Sequence, residues 1–206
     1  MKSYRFKVSG LRSKWTQLLI WDPPLGNHGH VRNVIGNLVE DLTAALIDGH
    51  RHKTDSRAEY CPDVSADNVY YESKAAGRSR QTFIYSGRLI KDRLFTADYN
   101  LKYVIWHHQA ETKTAKTVGE LERLILRSMR SVYIVPFSSV DTICSALAEE
   151  KLNSKYGGTC RKTYGSGYRI SIKLLSEFMI AHLPYGLDED FRSLPLQPRS
   201  PSPRPR

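Results

Sequence analysis

The stretch "PDVSADNVYYESK", Pro62 to Lys74, decides how this chain is read. Asp67-Asn68 at its middle tolerates the positive φ angles of a type I′ turn, so the segment predicts a hairpin with Ala66 paired to Val69. Counting outward sets Asp63 opposite Glu72, with Cβ atoms about 5 Å apart. Alternation along the strands then puts Glu72 and Lys74 on one face, roughly 7 Å from each other. Asp63 and Glu59 fall on that face too. Carboxylates grouped in this way repel one another, and a shared divalent cation accounts for them more readily than bare surface does. The plain alternative is a solvated hairpin face with a Glu–Lys cross pair, stabilising by well under about 1 kcal/mol.

Around the hairpin lies a chain of 206 residues, enough for one domain with a substantial core. Its charge sets it apart: 31 Lys and Arg against 21 Asp and Glu give +10. From Gly186 onward acids and arginines nearly cancel, so the excess sits on the body and favours a polyanion, nucleic acid first. Three cysteines (Cys61, Cys144, Cys160) without C-x-x-C spacing indicate neither a disulfide frame nor structural zinc. No apolar run approaches membrane-spanning length, and "MKSYRFKVSG" does not look like a signal peptide, so a cytoplasmic location without a membrane partner is expected.

Helices and strands alternate along the chain. "NVIGNLVEDLTAALIDG" (Asn33 to Gly49) reads as a helix with a stripe of Val34, Leu38, Leu42, Ala45 and Leu46, stopped by Gly49. "RAEYCPDV" and "NVYYESKA" read as paired strands, and "RSRQTFIYSGRLIKDRLF" (Arg78 to Phe95) as holding a basic helix. "LKYVIW" and "SVYIVPF" are nearly continuous apolar runs, as buried strands show, and "TVGELERLILRSMR" lies between them as a helix. "SSVDTICSALAEEKL" predicts a helix behind a serine cap, and "GYRISIKLL" a half-exposed strand. The Pro/Ser/Arg-rich end, residues 186–206, is expected to be disordered. The reading is a single α/β domain over residues 1–185, with a core at about 33–136 and an α/β extension at about 137–185.

Pro62-Asp63 followed by Glu72-Ser73-Lys74 resembles the motif of the PD-(D/E)XK nuclease superfamily. "GNLVE" (Gly36 to Glu40) is similar to the first-helix glutamate motif of part of that superfamily. The segments "TFIYSGRLIKDRLF" and "LKYVIW" follow in the order found in archaeal-type Holliday-junction resolvases. The resemblance covers about Asn33 to Trp106 and implies a restriction-endonuclease-like core, a central mixed sheet flanked by helices. It also implies that Asp63, Glu72, Glu40 and the main-chain carbonyl of Ser73 hold Mg²⁺ or Mn²⁺. Lys74 would activate the attacking water, and the partner would be DNA. Junction resolvases act as symmetric dimers, so a homodimer belongs to that version.

Glu40 lies nearly opposite the apolar stripe on a helical wheel, and Glu59 is a rival third carboxylate. Gln81 and Tyr85, four residues apart, face the same site if their segment is helical. Arg78, Arg80, Arg88, Lys91 and Arg93 serve as phosphate contacts or as the wet side of an amphipathic helix. Arg161 and Lys162 sit among tyrosines and glycines in "KYGGTCRKTYGSGYR", a pattern that suits stacking on nucleic acid or a flexible loop before a strand. The histidine pairs lack partners at zinc spacing, and no phosphate-binding NTPase loop is present. The expectation is a divalent-metal-dependent DNA endonuclease, either structure-specific or serving a phage, a mobile element or defence. The alternatives are a DNA-binding protein that keeps a nuclease fold without cutting, and an RNA endonuclease.

Overall fold

A computed structural model describes residues 22–52, 60–148, 161–163, 167–178 and 181–184. Helix α1 (His28–Ile47) begins at Asn27, whose side chain accepts the His30 N–H. It ends at Asp48 in the left-handed region, φ 54°, so the stop residue is Asp48. Gly49 is needed for another reason: a Cβ there would stand 2.7 Å from the Ser65 carbonyl oxygen. The chain then forms β1 (His50–Arg51), β2 (Val64–Ala66) and β3 (Val69–Ala76). Asp67 and Asn68 have φ 50° and 61°, and Ala66 pairs with Val69, the turn and register that the sequence predicts. The first hairpin strand is shorter than expected, because its ladder stops at Val64–Tyr71.

After β3 the basic segment holds its expected helix only in its second half, so Gln81 and Tyr85 do not share a helical turn. Gln81–Tyr85 is a strand, β4, and only Ser86–Phe95 is helical, α2. Strand β5 (Asn100–His108) runs parallel to β3, and β6 (Met129–Pro136) returns antiparallel to β5 after α3 (Val118–Ser128). Helix α4 (Phe137–Ala148) starts directly after β6, so Ser138 and Ser139 lie inside it and do not cap it. Strand β7 (Arg161–Thr163) precedes β8 (Gly167–Ser171). The expected long strand "GYRISIKLL" ends at Ser171, which caps the short helix α5 (Ile172–Leu175) by accepting the Lys173 N–H. Strand β9 is Ala181–Pro184.

The chain is mixed α/β, with a central mixed sheet in the order β1-β2-β3-β5-β6-β9 and helices on both faces. A smaller antiparallel sheet has the order β4-β8-β7. Strand β5 explains why "LKYVIW" is continuously apolar. Val104 and Trp106 face α1 and α3 with Leu38, Leu42, Leu121 and Ile125, while Leu101, Tyr103 and Ile105 face α2 and α4 with Phe137, Ile143 and Ile170. Residues beyond 137 are built into this second core: β8 pairs with β4, and β9 borders β6. Among the described residues no helix is long and apolar enough to cross a membrane.

Candidate active site

The site arises where the sheet loses a strand. β2 stops at Val64, but β3 runs on to Ala76. A strand residue points its N–H and C=O to the same side. From Ser73 onward that side of β3 therefore lacks a β2 partner. Asp63, one residue before β2, fills the gap with its side chain, and its Oδ2 accepts the Ser73 N–H at 2.7 Å. Its main-chain carbonyl accepts the His52 N–H at 2.8 Å, which anchors it to the end of β1. The Ser73 carbonyl opens on the same edge and accepts from Lys74 Nζ at 3.2 Å.

Alternation in β3 sends Glu72 and Lys74 to the α2 face and Ser73 to the α1 face. Glu72 is only 2% exposed, and both of its oxygens are taken: Lys74 Nζ donates to Oε1 and Arg88 to Oε2. Ser73 Oγ donates to Thr43 Oγ1 at 2.9 Å, and Trp106 Nε1 donates to the same oxygen at 2.9 Å. The buried arc of α1 thus includes Val39 and Thr43 as well as the predicted stripe. This wider arc brings Glu40 to the open edge from the opposite face of the sheet. Arg51 holds Glu40 there, with Nε at 2.9 Å and Nη2 at 2.5 Å from Oε2, and binds Asp41 at 2.5 Å.

Part of this set lines a cleft of about 1080 Å³ whose walls include Glu40, Asp63, Ser73, Lys74, Gln81 and Tyr85, while Glu72, closed over by Lys74 and Arg88, is not among the lining residues. Gln81 and Tyr85 reach it from the two ends of β4, not from one helical turn. The other charged walls are Arg32, Arg78, Glu111, Lys113 and Arg169. Five cations therefore surround three carboxylates. Burial, then the charges of Glu72 and Glu40, push the Asp63 carboxyl up to about 7, against the pull of Lys74 and the Ser73 N–H. Burial also raises Glu40, although Arg51 opposes the shift.

Arg88 does not face a polyanion. Its guanidinium lies 4.2 Å from the centre of the Tyr60 ring, and it bridges Glu72 to the buried Asp92, with Nε 3.4 Å from Asp92 Oδ1. Asp92 accepts from the Tyr60 and Tyr103 hydroxyls, and burial pushes it to about 7. The i, i+4 spacing of Arg88 and Asp92 was the available signal for this inward pair. Arg93 is likewise bound, at 2.7 Å, to Asp141. Lys91 and Arg80 are exposed, and Arg78 is exposed beside Glu111 at 3.2 Å. Glu59 and the side chains of Arg161 and Lys162 lie outside the described residues.

Among the described residues no three His, Cys, Asp or Glu side chains converge closely enough to hold a metal ion. The donor chemistry nevertheless fits one. A half-buried carboxyl raised by two neighbouring carboxylates sits beside a main-chain carbonyl whose described contact is a lysine, and a hard cation would offset that repulsion. Such an ion would have to displace Lys74 and Arg88 from Glu72. Compared with known proteins, the chain matches no family model, and no curated protein matches it.

Proposed function

We propose that the protein is a divalent-metal-dependent DNA endonuclease of the PD-(D/E)XK type, with a restriction-endonuclease-like core. One observation carries the reading: Asp63 and the Ser73 carbonyl meet at a bare strand edge, with Lys74 and Glu72 beside them and Glu40 arriving from the other face. The order of elements supports the finer fold, since α1 precedes an antiparallel β1-β2-β3 unit and α2 lies in the crossover to the parallel β5.

Asp63, Glu72 and the Ser73 carbonyl would hold Mg²⁺ or Mn²⁺, with Glu40 completing the set. When bound, the ion acidifies water and offsets charge developing on the phosphate. Lys74, already between Glu72 and the Ser73 carbonyl, orients the water and steadies the negative phosphate. Arg32, Arg78, Lys113 and Arg169 neutralise the strand backbone along the cleft. Arg51 fixes Glu40, and Arg88 fixes Glu72. Incubating wild type and Lys74→Ala with plasmid, linear duplex, branched DNA and RNA, each with Mg²⁺ or EDTA, tests this. Cutting of DNA is expected only for wild type with Mg²⁺; equal outcomes in all tubes overturn the reading. Preference for branched DNA with a dimer in sedimentation supports the resolvase version.

The double occupation of Glu72 by Lys74 and Arg88 favours a second reading, a DNA-binding protein that does not hydrolyse. Calorimetry separates the two. An enzyme binds Mn²⁺ and loses it in Asp63→Ala, whereas a pure binding protein takes up no Mn²⁺ at this site.

A further inference from the structure

The cleft extends well past the carboxylates, to a second cluster at the far end of β3. Gly77 and Arg78 follow that strand, and His108, at the end of β5, lies across from them with Lys113 on the same wall. His108 is 3% exposed, so its ring is fixed by packing. Its Nδ1 accepts the Ala110 N–H at 3.2 Å. In a neutral imidazole the nitrogen that accepts carries no proton, so the proton sits on Nε2. The Cε1–Nε2 edge of the ring faces Gly77: a Cβ built on Gly77 would meet these two atoms first, at 3.7 and 3.9 Å. Gly77 therefore sets no side chain against the donor edge, and the buried His108 still lines the cleft.

Burial, with the neighbouring His107, lowers His108 to about 4, so the ring stays neutral near pH 7. A fixed neutral N–H is joined here by two exposed cations, Arg78, whose ion pair with the exposed Glu111 a phosphate would have to displace, and Lys113. The combination matches a phosphodiester group, which needs a directional donor for one oxygen and diffuse positive charge for the other. Gly77 stands three residues from Lys74, about 10 Å along an extended strand. That spacing places the cluster at a neighbouring phosphodiester of the bound strand and not at the scissile one.

We propose that His108, with Arg78 and Lys113, forms a subsite for a phosphodiester of the bound strand near the scissile one. His108 Nε2 is its directional donor. The inference rests on the nuclease reading for the placement of the strand, but its test does not require cutting.

Anisotropy of a labelled DNA duplex in EDTA, at several salt concentrations, reads the subsite directly. His108→Asn keeps an acceptor for the Ala110 N–H but lacks the Nε2 position. It is expected to weaken binding about tenfold, the size of one hydrogen bond to a charged group. The slope of affinity against salt should not change, because no charge is lost. His108→Gln, which restores a donor at that reach, should recover most of the affinity. Arg78→Gln should instead flatten the salt slope by about 0.9. His108→Asn at wild-type affinity, or His108→Gln no better than His108→Asn, overturns the subsite. Should His108→Asn fail to fold, ¹⁵N NMR of wild-type imidazoles replaces it: the Nε2 signal of His108 must move when duplex is added, and an unmoved signal overturns the subsite. Wild type that binds no duplex at all sinks the nuclease reading itself, a result distinct from either.

Discussion

Burial and the neighbouring Glu72 and Glu40 lift the Asp63 carboxyl from an ordinary 3.8 to about 7. An acid whose folded-state pKa lies above its unfolded value holds its proton more tightly in the folded chain. It therefore costs stability as pH rises from about 4 to about 7, and nothing further above that. Asp63→Asn keeps an acceptor for the Ser73 N–H and removes the titration. Its melting temperature is expected to match wild type at pH 4 and to exceed it at pH 8, and a constant difference across that range would exclude the mechanism. Divalent cation binding draws on the same proton. At pH 6, Mn²⁺ uptake should release about one proton, read from calorimetry in buffers of different ionisation enthalpy. The residue types and spacing of Asp63, Glu72 and Lys74 were legible from the sequence. That Arg88 also closes over Glu72 was not, because the contact depends on where α2 crosses the sheet.

At the scale of elements, the hairpin is the most local feature and was the most readable. Asp67-Asn68 fixes a two-residue turn, the turn fixes the register, and the register follows without distant contacts. Strand β4 was misread for the opposite reason. "QTFIY" carries no decisive period, and its strand form depends on pairing with β8, more than 80 residues later in the chain. Gly167 permits that pairing, since its φ is 152° and a Cβ there would stand 2.1 Å from the Ile84 carbonyl oxygen. Gly167→Ala is expected to destabilise the protein by about 3 kcal/mol through strain and clash. It should also free the Thr82 and Ile84 amides, which pair with β8, to exchange, while those of β3 and β5 stay protected. Uniform exchange throughout, or none, would contradict the division into two sheets.

The whole molecule sets the electrostatics of the cleft. Arg32, Lys113, Arg169 and the neighbours Lys74 and Arg78 come from four separate parts of the chain, and only folding sums them into one field. If about four of them meet phosphates, duplex affinity should fall on the order of a hundredfold between 50 and 200 mM salt. A filter-binding series checks this, and affinity that ignores salt would remove the cleft from consideration as a polyanion groove.

By itself the sequence determined what local rules control: the type I′ turn, the Ala66–Val69 register, the apolar stripe of α1 and the two-sided burial of β5. Turn chemistry and periodicity act over a few residues, so they can be read without a fold. Only the tertiary structure decided where the charged tips outside the hairpin point. It turned Arg88 inward, carried Glu40 round the sheet edge on a wider buried arc, and set His108 against Gly77. Those outcomes depend on where β2 ends and where helices cross the sheet, which packing between distant segments fixes.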